Sequence, residues 1–166
     1  MTPCNKGVEI LSIGTELLLG NIVNTNAQWI SEELSTLGLN HFRQSTIGDN
    51  TERIIKLIKE ISSRSNLLIT SGGLGPTPDD LTTEAIAKSF NASLYEREDL
   101  WDQIKKKLQI SGSRFDRSSL KKQCFFPKDA QIINNPRGTA PGMIWKPIKG
   151  FTILTFPGVP SEMKEM

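Results

Sequence analysis

The sequence predicts an α/β domain of three layers, in which helices cover both faces of a mostly parallel sheet. Three observations carry this expectation. Short apolar runs alternate with helix-period segments through the first two-thirds of the chain, several of those runs empty into glycine-bearing polar turns, and 166 residues at 37% hydrophobic content supply one core. Strand and helix alternating at this spacing argue for right-handed crossovers between parallel strands. A chain of this length buries about two-thirds of its unfolded surface.

The elements follow in order. Val8–Gly14 is an apolar run ending in glycine, as a buried parallel strand does. Asn24-Thr25-Asn26 offers capping side chains to a helix whose stripe is Ala27, Ile30, Leu34 and Leu37, and Gly38 closes it. Residues 40–47 read as a second strand. Asp49-Asn50-Thr51 caps a second helix, where Ile54, Leu57, Ile58 and Ile61 recur at i, i+3, i+4 and i+7. Leu67–Thr70 is a third buried strand, opening into Ser71–Pro76 before a helix resumes near Leu81–Phe90. Leu100, Ile104 and Leu108 mark another helix, broken at Ser111-Gly112-Ser113, and Leu120–Cys124 a short further one. From Pro127 onward, Ile132-Ile133, Met143–Trp145 and Phe151–Phe156 read as strands returning to the sheet, with antiparallel pairing at its edge. Pro157–Met166 is a strand-to-helix turn with Pro160 in the first helical turn. That helix stops after about one turn, too short to stand alone, so residues 1–166 are expected to be one domain severed from something longer.

Composition narrows the functional classes. No apolar run approaches the ~18 residues of a membrane-spanning helix, and residues 1–6 lead into a strand-like run without a secretory apolar region. Cys4 and Cys124 are too few for a disulfide framework or a cysteine zinc site and read as free cytoplasmic thiols, while the lone His41 excludes a multi-histidine metal cage. The net charge of +2 joins an acidic half to a basic one: residues 1–83 carry six basic and nine acidic side chains, residues 84–166 carry fourteen and nine. The excess gathers at Lys105, Lys106, Lys107, Arg114, Arg117, Lys121 and Lys122, against one Asp116. Two readings stand there, a solvated helical face or a rim steering a phosphorylated ligand. Nucleic acid fits less well, because the segment has few interleaved aromatics. Trp29, Trp101 and Trp145 read as core or interface side chains.

Four glycine-bearing polar segments follow or lie near strands: Gly14–Leu17, Gly48–Asn50, Gly72–Asp80 and Pro157–Glu162. Loops at the carboxyl ends of parallel strands line one crevice, and ligands bind there. The third segment carries the most chemistry. Gly72, Gly73 and Gly75 let the backbone approach a ligand, and successive amides with the start of the next helix make an anion nest. It is neither a P-loop, lacking GK[ST], nor a GxGxxG dinucleotide fingerprint. Asp79 and Asp80 sit badly beside phosphate unless a cation lies between, which suits Mg²⁺ held by one or two carboxylates and ligand phosphates. The competing explanation, helix N-capping, needs only one of the two.

Four motifs in register then resemble the competence/damage-inducible protein CinA family: Ile13–Gly20 with Asn24–Ala27, Gly72–Thr82, Asn135–Gly142 and Pro157–Lys164. The match runs from Val8 to the end of the chain, and the molybdopterin-binding domains of molybdenum cofactor biosynthesis are more distant relatives sharing the glycine loop. The resemblance implies a molybdopterin-binding-like α/β/α sandwich forming a homo-oligomer. It implies hydrolysis of ADP-ribose to AMP and ribose 5-phosphate with a divalent metal, Mg²⁺ or Co²⁺. Longer members add a C-terminal domain that deamidates nicotinamide mononucleotide, and nothing in this sequence corresponds to it. Carried over by position, Asp80 and Asp49 are the catalytic and metal-holding carboxylates, with Asp79 and Glu84 in reserve. Glu84 reads equally as a first-turn acid on the helix dipole. Gly72, Gly73 and Gly75 contact phosphate, joined by Glu16, Asn24, Asn26, Thr139, Pro157, Gly158, Ser161 and Glu162. Arg137 stands where an aliphatic residue is more usual, as a phosphate contact or a rim residue, and Cys124-Phe125-Phe126 replaces a smaller apolar stretch.

Three functions are compatible with these residues: a metal-assisted pyrophosphate hydrolase, a module binding molybdopterin or another pterin phosphate without turnover, and an interaction domain of a longer protein. One scaffold hosts all three.

Overall fold

The computed structural model of the chain describes residues 7–111 and 117–166. Cys4, residues 112 and 113 of the expected helix break, and Arg114 and Asp116 of the basic segment lie outside the described residues. The leading strand β1 (Val8–Ile13) is buried along its whole length. Its odd and even positions serve different layers. Leu11 and Ile13 join a large core with Ile54, Ile58 and Ile61, whereas Val8 and Ile10 join a smaller one with Ala27, Ile30 and Leu34. A strand covered on both faces reads as a continuous apolar run, which is what the sequence presents.

The chain proceeds through α1 (Thr15–Leu18), α2 (Thr25–Thr36), β2 (His41–Ile47), α3 (Thr51–Arg64), β3 (Leu67–Ser71) and α4 (Thr82–Ser89). It continues with β4 (Leu94–Glu96), α5 (Glu98–Ser111), α6 (Arg117–Lys121), a 3₁₀ turn at Lys122–Cys124, β5 (Phe125–Pro127) and β6 (Gln131–Ile133). The last elements are β7 (Gly142–Ile148), β8 (Phe151–Phe156) and α7 (Pro160–Glu165). Six strands form one sheet in the order β2-β1-β3-β8-β7-β6. β2, β1, β3 and β8 are parallel, and β7 pairs antiparallel with both β8 and β6. The antiparallel pairing expected from the C-terminal strands therefore belongs to β7.

The larger core packs α3, α4 and α5 on one face of the sheet, while α2 and Met163 of α7 cover the other. These are the three layers. Asn24 caps α2 by accepting from the Ala27 amide, and Gly38 follows its last turn at φ +67°. For α3 the cap is Asn50, accepting from the Arg53 amide, with Asp49 free for another partner. Two features were absent from the sequence reading. Residues 15–18 form a single helical turn where a loop was expected, and β4 pairs with β5 as a separate antiparallel ribbon.

Candidate functional site

The register of the parallel strands places the candidate residues. Ser71 at the end of β3 pairs with Ser12 of β1 and Phe156 of β8, and Ile13 pairs with Ile47 of β2. The four strands thus end at one rim, and the loops after them meet there as expected. Gly14 donates its amide to the Ile47 carbonyl at 3.0 Å, and Gly72 to the Phe156 carbonyl at 3.0 Å. The chain leaves β1 toward β2 on one side and β3 on the other, a reversal point where α/β sheets open a crevice.

A cavity of about 640 Å³ occupies that crevice, walled by Gly14, Glu16, Asp49, Gly72, Gly73, Gly75, Asp79, Asp80, Thr139, Pro157, Gly158 and Glu162. The structure therefore brings most of the expected site residues onto one wall. Gly72 and Gly73 both hold positive φ, +104° and +66°. At Gly72 a Cβ would collide with the Ile13 carbonyl oxygen, so only glycine lets the loop pass this close to β1. The loop is locked from the far side by Thr82, whose hydroxyl donates to the Gly72 carbonyl at 2.9 Å and whose amide donates to that of Gly73 at 3.1 Å. The first amide of α4 is thereby occupied, so it cannot join the anion nest that the sequence suggested. The amides of Gly73, Leu74 and Gly75 have no acceptor among the described residues. They form the nest.

The carboxylates are held in place individually. Asp80 Oδ2 accepts from the Thr77 amide at 2.9 Å and from the Thr77 hydroxyl at 2.5 Å. Asp79 accepts from the same hydroxyl, and this hydrogen bond sets its carboxyl below the usual range. Neither caps α4, whose N-cap is Leu81, so the capping explanation for the pair does not hold. Asp49 Oδ2 accepts from the amide and hydroxyl of Thr15, at 2.8 and 2.9 Å, and fixes the start of α1. Glu162 accepts from Asn135 Nδ2 at 2.7 Å. Asn135, 3% exposed, also takes the Arg137 and Gly138 amides on its Oδ1. Lys107 of α5 donates to the carbonyls of Asn135 and Gly138, and burial lowers its pKa against the opposing charge of Glu162. The Asn135–Gly138 turn and Lys107 were not anticipated as supports.

Other expected residues lie apart. Asn24 is the α2 cap and donates to Ser12 Oγ at 2.8 Å, and Asn26 donates to Ser71 Oγ at 2.7 Å and the Gly158 carbonyl at 2.9 Å. Both brace the rim rather than line the large cavity. Ser161 is exposed on α7 and outside that wall. Glu84 sits on α4, 3.9 Å from Lys88, and borders a different cavity. Arg137 pairs with Glu165, which favours its reading as a rim residue. Among the described residues no three His, Cys, Asp or Glu side chains cluster as a metal cage. The donor set suits a cation held by one or two carboxylates together with ligand phosphates.

The basic segment divides between roles. Lys105 pairs with Asp102 and lies over the Trp101 ring, and Lys121 pairs with Glu96. Lys122 donates to the Thr77 carbonyl at 3.2 Å, beside Asp79. Cys124 is buried, and burial pushes its thiol up to about 11, so it stays protonated near neutral pH. A second cavity, of about 610 Å³, shares Gly73, Leu74, Gly75, Asp80 and Gln123 with the first. It was not foreseen. The only sequence signal was a glutamine set among Leu120, Cys124, Phe125 and Phe126.

A mostly parallel sheet carrying this glycine loop and carboxylate wall defines a class, and the family model for a probable molybdopterin binding domain matches residues 9–166. The chain belongs to that family, on its CinA side. Its relatives include CinA-like proteins of Prochlorococcus marinus subsp. pastoris MED4, 93% identical over 99% of this chain, and Synechococcus sp. CC9311, 60% identical over 97%. The chain spans 38% of the length of each of these two. The solved structure of CinA from Thermoplasma acidophilum superposes with a TM-score of 0.88 at 36% identity, covering 96% of this chain and 92% of that one. MoaB from Thermus thermophilus shares the fold, with a TM-score of 0.59 at 22% identity over 95% and 84%. Among the described residues no helix is long and apolar enough to cross a membrane.

Proposed function

We propose that the domain binds a nucleoside diphosphate-sugar and hydrolyses its pyrophosphate, ADP-ribose to AMP and ribose 5-phosphate being the leading case. The observation that carries this reading is the wall of the 640 Å³ cavity, where the unpartnered amides of Gly73–Gly75 lie beside Asp49, Asp79 and Asp80. Amides bind phosphate oxygens, and carboxylates beside them make sense when a cation is shared. A bound Mg²⁺ or Co²⁺ supplies charge neutralisation at the phosphates and an activated water. Asp80 and Asp49 are the residues to hold it, with Asp79 in reserve. Thr77 fixes the Asp80 carboxylate, and Thr15 fixes that of Asp49, so neither must reorganise when the ligand arrives.

The test is AMP release from ADP-ribose in the presence of Mg²⁺ or Co²⁺. Asp80→Asn is expected to lower the rate by roughly 10²–10⁴-fold, the range for a positioned acid–base or metal-holding group. Full activity in Asp80→Asn overturns the assignment. Membership of the molybdopterin-binding family favours a second reading, capture of a pterin phosphate without turnover. Calorimetric titration separates the two: tight binding of a pterin phosphate with no response to ADP-ribose selects the second.

A further inference from the structure

Within the lysine run 105–107, only Lys107 turns inward. Lys105 and Lys106 are exposed, whereas Lys107 is half-buried on the face of α5 that carries Leu100 and Ile104, one and two turns earlier. A lysine on a buried stripe is costly unless its ammonium finds acceptors. It finds two, the carbonyls of Asn135 and Gly138, the second at 2.8 Å. Both acceptors are neutral, and the opposing charge that the ammonium faces is Glu162. This lysine is therefore neither part of a solvated face nor part of a basic rim.

The two carbonyls bracket the 135–138 turn, and that turn holds Glu162. Asn135 uses all of its side-chain hydrogen-bonding groups there. Its Oδ1 accepts from the amides of Arg137 and Gly138, at 3.0 and 2.8 Å. Its Nδ2 donates to the Ala140 carbonyl at 3.0 Å and to Glu162 Oε2 at 2.7 Å. The Glu162 carboxylate also lies against the α-carbon of Gly138, where a Cβ would strike it. One carboxylate oxygen is thus committed. The other, Oε1, has no donor among the described residues and belongs to a side chain on the crevice wall. The turn joins α5, on one face of the sheet, to α7, on the other. An anionic ligand entering the crevice brings like charge toward Glu162, and the ammonium linked to it through the turn offsets part of that repulsion.

We propose that Lys107 is a positioning residue: by holding the 135–138 turn it sets the Asn135–Glu162 hydrogen bond, and so aims the free oxygen of Glu162 into the crevice. The ligand half of this statement rests on the crevice being a ligand site, as proposed above, and not on hydrolysis.

Two measurements test it. The first needs no ligand: hydrogen exchange at the Gly138 amide in the folded chain, followed by NMR. Lys107→Met is expected to speed that exchange roughly 10-fold, the scale of one hydrogen bond lost from the turn. Lys107→Arg, which keeps the charge and the donors, restores slow exchange. The Leu11 amide, at the centre of β1, stays equally protected in all three chains, which separates a local opening from a general loss of stability. The second is a double-mutant cycle read by calorimetric titration with ADP-ribose in Mg²⁺ and with a pterin phosphate. Lys107→Met and Glu162→Gln are each expected to weaken binding roughly 10-fold, and the double variant to bind no worse than Glu162→Gln alone, because the lysine acts through the carboxylate. If Lys107→Met does not fold, Lys107→Gln, which retains an N–H donor but no charge, takes its place. Additive losses, full-strength binding in Lys107→Met, or unchanged exchange at Gly138 overturn the proposal. A non-additive cycle with the pterin phosphate alone supports it and refutes the ADP-ribose reading; an additive cycle in a chain that cleaves ADP-ribose refutes this inference alone. A chain that binds neither ligand refutes the reading of the crevice and the ligand half of this proposal with it.

Discussion

At the scale of single residues, the site is set by contacts that leave no room for substitution. Gly72 shows this best. Its φ of +104° is outside what other residues adopt, its amide is tied to Phe156, and β1 fills the space a side chain would need. Gly72→Ala is expected to cost about 3 kcal/mol, combining backbone strain with displacement of the β1 end. For a domain of this size that lowers the melting temperature by roughly 6–12 °C. Differential scanning calorimetry measures it, and an unchanged melting temperature refutes the account. Glycines after strands are visible in a sequence, so this part of the site was legible. The support that Gln123 gives the loop was not, since its Nε2 donates to the carbonyl of Leu74, 49 positions away.

Among the elements, α3 is the one whose anchoring can be dissected. Its stripe of Ile54, Ile58 and Ile61 is fully buried, which is why the 3.6-residue period was so clear. Its C-terminal Arg64 forms a bidentate pair with Glu9 of β1, both contacts 2.8 Å, and Ser65 Oγ donates to the same carboxylate at 2.5 Å. Burial alone raises the Glu9 carboxyl, but these hydrogen bonds and the Arg64 charge outweigh it and hold the carboxyl below its usual range. A depressed carboxyl stabilises the fold above its unfolded pKa of about 4.3, and the benefit disappears as pH falls through the folded value. Arg64→Met is expected to destabilise by about 2 kcal/mol at pH 7, the scale of charge-assisted hydrogen bonds lost from a buried carboxylate. Urea unfolding across pH should show the gap between the two chains closing below about pH 4; a gap independent of pH contradicts the sign. The elements missed were those without a period. β4 and β5 have three residues each, and α1 is one turn whose start is fixed by Asp49, 34 positions away.

On the scale of the whole molecule, four parallel strands of different chain position end at one rim, and the functional residues come from every part of the sequence. The acidic first half contributes Glu16, Asp49, Asp79 and Asp80, and the later half contributes Lys122 and Glu162. Alternation of strand and helix made the parallel core readable. The β4–β5 ribbon and the turn braced by Lys107 were not, because they are joined by tertiary contacts alone.

Three carboxylates of the crevice share one arrangement: each rests against a glycine, Glu16 on Gly14, Asp80 on Gly75 and Glu162 on Gly138, at a spot where any Cβ would collide with it. In a saturation library substitutions at these glycines should therefore act through the acids they shelter. Alanine at 14, 75 or 138 is expected to push the neighbouring carboxylate aside and lower function while the protein still accumulates, and a genetic screen would count as chemical participants three positions that have no side chain.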